Sequence, residues 1–207
     1  VSRSRKKRQK LDLTFTGTLR TEQKKSVTQL AKHRTGVLVA PPGAGKTVIA
    51  CALIARRKVP TAIIVNRREL LEQWRTRLQE FLHVEDKQIG QLGAGRRKRK
   101  GQIDLIMLSS RTADPTVLEE YGLIIIDECH SVAAPAAEAA LRQVNAPNWV
   151  GLTATPYRAD RMDGLITMQC GPIRHKIEPE GVANRSLVIH ETEFTTLETG
   201  TDGPSIQ

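Results

Sequence analysis

The chain has 207 residues, room for one large α/β domain with its own core or a domain plus an appendage. It carries a formal charge of +10, yet only 3% of it is aromatic, so stacking platforms for single-stranded bases are scarce. No apolar run reaches the ~18 residues of a membrane-spanning helix, and Leu11 to Leu19 is too polar for the core of a secretion signal. The three cysteines, Cys51, Cys129 and Cys170, are spaced as neither a zinc site nor a disulfide framework. A protein of a reducing cytoplasm, with no membrane partner, is expected.

The charge is unevenly spread. Residues 1–10 hold Arg3, Arg5, Lys6, Lys7, Arg8 and Lys10 with no acid, and Arg96-Arg97-Lys98-Arg99-Lys100 forms a second cluster. These cations outnumber the whole excess, so the rest of the chain is close to neutral. Clusters of this kind attract phosphate backbones, or stay solvated as a tail and a loop.

Residues 1–14 read as a flexible basic arm. Leu19 to Lys32 reads as a helix with Val27, Leu30 and Ala31 on one side. Gly36 to Ala40 is strand-like, and Val48 to Ala55 is helix-like. Between them lies Ala40-Pro41-Pro42-Gly43-Ala44-Gly45-Lys46-Thr47. Backbone N–H groups in such a glycine-rich turn converge on phosphate oxygens, helped by the positive end of the following helix. Lys46 is then the cation for the β- and γ-phosphates, and the Thr47 hydroxyl a ligand for Mg²⁺. Thr61 to Val65 is a short apolar strand. Arg68 to Leu82 is an amphipathic helix carrying Leu70, Leu71, Trp74, Leu78 and Leu82. Gly93 and Gly95 precede the basic cluster, which reads as a loop. Ile103 to Leu108 is another strand, followed by Ser109 and Ser110.

Leu123-Ile124-Ile125-Ile126-Asp127-Glu128-Cys129-His130 is an apolar strand ending in two carboxylates. That pattern delivers one carboxylate, Asp127, to the metal and the other, Glu128, to the attacking water. Ala136 to Val144 reads as a helix and Trp149 to Thr153 as a strand, followed by Thr155. Short apolar strands alternating with helices predict a mostly parallel sheet covered on both faces. The site then gathers at the carboxyl ends of the strands. After about residue 176 the composition changes, Ser186 to Phe194 reads as one further strand, and the end reads as a linker.

Five segments, in this order, resemble the first RecA-like domain of a superfamily 2 helicase. The resemblance is to the branch holding type III restriction-enzyme motor subunits and xeroderma pigmentosum group B-type helicases. It covers roughly residues 18–178. The segment ending in Gln23 resembles the adenine-reading segment, although Thr21 and Glu22 depart from the usual Pro and aromatic. Residues Ala40 to Thr47 resemble the family's phosphate loop, in which Ala stands for the first Gly, and with Gln23 and Val48 would bind the nucleotide. Ile64 to Trp74 resembles the segment that touches the nucleic-acid backbone. Asp127 to His130 resembles the hydrolysis box. Gly151 to Arg158 resembles the segment that couples hydrolysis to movement.

The resemblance implies a RecA-like phosphate-loop NTPase domain over 15–178, with 179–207 leading toward a second RecA-like domain. It implies ATP and Mg²⁺ as cofactors and an ATP-driven helicase or translocase as the activity. Lys46, Asp127 and Glu128 would be catalytic, and His130, Thr153 and Thr155 would couple. Asn66, Arg67, Arg68, Gly93, Arg96, Arg97, Ser109 and Ser110 would contact nucleic acid, with DNA favoured over RNA. Two alternatives stay open: a non-catalytic nucleotide-dependent nucleic-acid clamp, and a double-strand translocase subunit of a restriction-type system. The isolated domain is expected to be a monomer and nearly inactive.

Overall fold

The computed structural model describes residues 10–107, 115–129, 139, 141–155 and 170–179. Within them the helices are α1 (Thr21–Ala31), α2 (Lys46–Arg57), α3 (Arg68–Leu82) and the short α4 (Pro115–Leu118). The strands are β1 (Thr35–Val39), β2 (Thr61–Val65), β3 (Ile89–Gly93), β4 (Arg96–Lys98), β5 (Ile103–Met107), β6 (Leu123–Ile126), β7 (Trp149–Thr153) and β8 (Ile173–Lys176). They form one sheet in the order β4-β3-β5-β2-β6-β7-β1-β8. Every pairing is parallel except β3 with β4.

The apolar runs are continuous because each strand feeds two cores. Successive side chains of a strand point to opposite faces. Ile63 and Val65 of β2, Leu123 and Ile125 of β6, and Val150 and Leu152 of β7 enter one cluster with the apolar sides of α1, α2 and α3. Ala62 and Ile64, Ile124 and Ile126, and Trp149 enter the other, with Leu118, Tyr121, Leu141 and Val144. Gly151 lies on the second face because a side chain there would crowd the sulfurs of Cys129 and Cys170. All three cysteines are buried and unbridged, and burial pushes the Cys51 thiol up to about 12.

A buried carboxylate anchors the sheet at its amino-terminal end. Asp104 on β5 accepts the backbone N–H of Lys100 and of Gly101, each at 2.9 Å, and the Tyr121 hydroxyl. Asp104→Ala should therefore lower the unfolding free energy by about 3 kcal/mol, because the buried Tyr121 hydroxyl and two part-buried N–H groups lose their acceptor. Denaturant unfolding of the two proteins measures this.

Three features differ from the sequence expectations. The basic cluster is not a loop over its whole length: Arg96–Lys98 is the exposed edge strand of a hairpin with β3. Ala94 and Gly95, both at positive φ, make its two-residue turn, with Gly93 and Arg96 paired across it. The reading of residues 1–14 as a flexible arm does not hold for its last residues. Leu11 is buried and its N–H reaches the Lys58 carbonyl at 2.9 Å. β8, unread in the sequence, pairs with β1, and the Ile177 N–H extends that pairing to the Val39 carbonyl. Its Ile-Arg-His-Lys composition has no apolar alternation because it lies at the sheet's edge. Residues 136–138 and 140 of the expected helix at 136–144, and all of the expected strand at 186–194, lie outside the described residues.

Candidate nucleotide site and basic rim

The glycine-rich turn joins β1 to α2, as its sequence demands. Gly43 and Gly45 both sit at positive φ, a conformation that costs a side-chain-bearing residue. A Cβ on Gly43 would meet nothing within 4 Å, so the turn's outer side is open. Ala40 is tied into the sheet through its N–H to the Thr153 carbonyl, 2.9 Å. Gly45 is the N-cap of α2 and brings no side-chain cap. The helix's first N–H groups and the positive end of its dipole thus face the turn. Pro41, Ala44, Thr47 and Val48 are half-buried, and Pro42 is exposed.

Arg20 and Gln23 hold the turn from behind. The Arg20 guanidinium donates to the Gly43 carbonyl at 3.3 Å and the Ala44 carbonyl at 3.0 Å. Gln23 Nε2 also donates to the Ala44 carbonyl, 3.0 Å, while its Oε1 accepts the Arg20 N–H at 2.9 Å. Because a trans peptide opposes its C=O and N–H, fixing the Ala44 carbonyl turns the Gly45 N–H to the other side. Gln23, in the segment that resembles the adenine-reading one, has its amide against the turn in this structure. It is buried, and both ends of its amide are bonded within the protein. An open cleft of about 620 Å³ lies beside it, bounded by Arg20, Glu22, Pro41, Pro42, Lys176 and Ile177.

β6 brings the carboxylates to the same place. Lys46 Nζ lies 3.1 Å from the Ala40 carbonyl and 3.7 Å from Glu128 Oε1. Asp127 prolongs the ladder through its N–H to the Ile64 carbonyl, 2.9 Å. Its Oδ1 accepts the Glu128 N–H at 3.0 Å, and its Oδ2 accepts the Trp74 indole N–H at 2.8 Å. Glu128 has φ 47°, a strained left-handed conformation for a non-glycine residue. Thr153, at the end of β7, folds back on itself: its hydroxyl donates to the Thr155 carbonyl at 2.6 Å and accepts the Thr155 N–H at 3.1 Å. Thr155 itself is exposed. His130 lies outside the described residues.

The other candidates line the opposite half of the same rim. Asn66 is half-buried, and Arg67 and Arg68 are exposed where β2 passes into α3. Gly93 closes β3, and Arg96 and Arg97 lead back along β4. The sheet order therefore puts the glycine-rich turn, Asp127–Glu128 and Thr153 at the ends of β1, β6 and β7, and the basic groups by β2, β3 and β4. Arg99 is engaged by Glu120 at 2.8 Å. Ser109 and Ser110 lie outside the described residues.

A family model described as "Type III restriction enzyme, res subunit" matches residues 16–158. The chain belongs to this family. Among relatives of the restriction-type family, "DNA 3'-5' translocase XPB2" of Sulfurisphaera tokodaii is 31% identical over 169 residues, covering 82% of this chain and 38% of that protein. "DNA 3'-5' helicase XPB" of Kineococcus radiotolerans is 30% identical over 175 residues, covering 80% and 31%. This chain thus spans about a third of the length of each. The structure of a Sulfolobus solfataricus SWI2/SNF2 ATPase core in complex with dsDNA has TM-score 0.64 at 19% identity, covering 79% of this chain and 37% of that one. The UvsW helicase from Bacteriophage T4 has TM-score 0.62 at 18% identity, covering 76% and 60%. Both establish likeness of fold.

Within this restriction-type domain, sequence reading missed Arg20 and underrated Trp74, which it placed only as an apolar member of α3. A tryptophan at a buried position was itself a signal, since a buried indole N–H needs an acceptor. Burial pushes the Asp127 carboxyl above the ordinary aspartate range. The Trp74 hydrogen bond opposes that rise, and the charge of Glu128 adds to it. The folded chain therefore holds this proton more tightly than the unfolded one. In the metal-free protein the group costs stability at neutral pH. That cost is recovered as pH falls through the raised value toward the ordinary one, about 3.9. Asp127→Asn leaves one of the two donors now bonded to this carboxylate without an acceptor, so the diagnostic is the pH dependence: its stability relative to the unaltered chain should fall as pH falls through that range. Urea unfolding of both proteins across that range checks the sign.

Proposed function

We propose that this chain is the ATP-binding half of a superfamily 2 DNA motor, which couples ATP hydrolysis to movement along nucleic acid. The observation that carries the reading is the meeting of Lys46 with Glu128 at 3.7 Å, beside an open turn and an uncapped helix start. A lysine, a carboxylate and free helix N–H groups in one place suit a triphosphate and its lytic water.

The donors also fit a hard cation. Thr47 offers a hydroxyl and Asp127 a carboxylate, both oxygen ligands, and Mg²⁺ is commonly held by one or two protein oxygens plus phosphates. When bound, Mg²⁺ would offset the negative charge that develops on the transferred phosphate. Thr47 and Asp127 are the residues that would hold it. Lys46 leaves the Ala40 carbonyl and Glu128 for the phosphates. Glu128, released from Lys46, orients or deprotonates the water. Thr153 and Thr155 form the turn that would register the γ-phosphate. Arg20 and Gln23 keep the phosphate turn in shape, and the adjacent cleft is the place for the base.

The strand would lie across the basic half of the rim. Replacing Arg96, Arg97, Lys98 and Lys100 by Gln should weaken DNA binding and flatten its salt dependence by about two to four units, since each phosphate contact contributes about 0.9. Arg99 is left unchanged because Glu120 already pairs with it. An unchanged slope would mean that these charges only guard an exposed sheet edge against pairing with other strands.

The motor reading itself is tested by third-strand displacement from duplex DNA. The polypeptide used carries this domain joined to a second RecA-like half. ATP-dependent displacement, lost on Lys46→Ala, is expected; displacement that continues without hydrolysable ATP contradicts the reading.

A further inference from the structure

We infer that Trp74 is a positioning residue for the cation-binding carboxylate, and that it ties this carboxylate mechanically to the helix that opens at the basic rim. The inference rests on the reading of Asp127 as a cation ligand. Trp74 is 1% exposed, and its indole N–H is 2.8 Å from Asp127 Oδ2. Asp127 Oδ1 is held by the Glu128 N–H at 3.0 Å. A carboxylate has about four acceptor sites, and one hydrogen bond on each oxygen fixes its plane while leaving two sites for a cation. Indole nitrogen donates only and does not titrate in the working range, so it cannot compete for the cation and holds the carboxylate at every such pH.

The ring itself cannot easily move. It belongs to the apolar cluster that includes Leu71, Leu78 and Val65. Displacing Trp74 therefore means displacing α3. That helix starts at Arg68, with Arg67 as its N-cap, at the exposed junction after β2. Six residues separate Arg68 from Trp74, about 9 Å along the axis. A load on Arg67 and Arg68 is transmitted along one rigid helix to the oxygen that Trp74 holds. Neither the phosphate turn nor the β7 turn lies on this route. The nucleotide half and the basic half of the rim occupy different strands, and the Trp74–Asp127 hydrogen bond joins α3 directly to β6's carboxylate.

The test uses Trp74→Phe, which keeps an aromatic ring and removes the donor. The first readout is binding of a non-hydrolysable ATP analogue, titrated at increasing Mg²⁺. Trp74→Phe should bind the analogue as the unaltered chain does without Mg²⁺, yet need about tenfold more Mg²⁺ for tight binding. Losing a group that holds a metal ligand typically costs 10–100-fold in metal affinity. An unchanged Mg²⁺ requirement in a variant with unaltered near-UV dichroism overturns the proposal.

The second readout does not depend on that variant folding. In Trp149→Phe, emission comes from Trp74 alone, and it should shift when Mg²⁺ is added to the analogue-bound protein; emission indifferent to Mg²⁺ overturns the proposal. If the unaltered chain shows no Mg²⁺-dependent binding, the reading of the site fails, and the proposal with it. If it does, and only the Trp74 results are negative, the proposal alone fails.

Discussion

On its own, this 207-residue chain should turn over ATP about 10³–10⁵-fold more slowly than a polypeptide that adds the proposed second RecA-like half. In the proposed mechanism Lys46, Thr47, Asp127 and Glu128 would account for the phosphates, the cation and the water. Phosphoryl transfer also needs positive charge where negative charge builds on the transferred group, and in related phosphate-loop enzymes an arginine from outside the loop supplies it. The relatives it matches are about three times as long as the part this chain covers. The cation is therefore assigned to the proposed second half, which would dock against the same rim. Steady-state phosphate release from both polypeptides, at saturating Mg²⁺, ATP and DNA, measures the ratio. Comparable turnover by residues 1–207 alone would show that this domain carries a complete engine.

In the longer polypeptide, Glu128→Gln should lower hydrolysis by about 10²–10⁴-fold and leave nucleotide affinity unchanged or tighter. Both signs follow from the geometry. Gln keeps the shape and the hydrogen-bonding reach of the side chain but cannot accept the water's proton. It also removes the negative charge that sits 3.7 Å from Lys46 before nucleotide arrives. Lys46 is then freer to turn to the phosphates, and a carboxylate no longer repels them. The backbone is little affected, since Gln bears the same left-handed φ at position 128 about as poorly as Glu does. Single-turnover hydrolysis and equilibrium binding, measured on the same preparation, separate the two effects. Equal losses of binding and hydrolysis would make Glu128 a structural residue.

The parallel sheet was legible because its central strands leave little ambiguity. Thr61–Val65 and Trp149–Thr153 are short apolar runs between turn residues, and they are β2 and β7 with those bounds. Arg68–Leu82 is amphipathic over its full length and is α3. The edges were harder. Ile89–Gly93 holds two glycines and a glutamine, and Arg96–Lys98 is wholly cationic. Their pairing comes from the Ala94-Gly95 turn and from β5 alongside, neither of which shows in side-chain periodicity. Arg75, a charged residue of α3, is buried, clasping Asp86 at 2.7 Å and Gln91 at 2.8 Å, partners that lie outside its helix.

At the candidate site, spacing in the chain singled out the glycine-rich turn and the carboxylate pair as candidates, because each is local. The partners of those groups are not local. Trp74 is 53 positions from Asp127, and Arg20 is 24 from Ala44. Gln23, placed in the segment likened to the adenine-reading one, is 21 positions from Ala44, whose carbonyl its amide bonds. Contacts of this kind follow from packing of α1 and α3 on the sheet.

The central claim is that the turn at Ala40–Thr47 holds a triphosphate through Lys46. Isothermal titration of this chain with ATP and Mg²⁺, beside the Lys46→Ala variant, tests it most directly. Lys46 is the cation at the turn's mouth, and charge-assisted hydrogen bonds of this kind contribute about 1.5–3 kcal/mol each. The variant should therefore bind at least about tenfold more weakly, with its unfolding temperature close to that of the unaltered chain. Superimposable titrations of the two proteins would contradict the account.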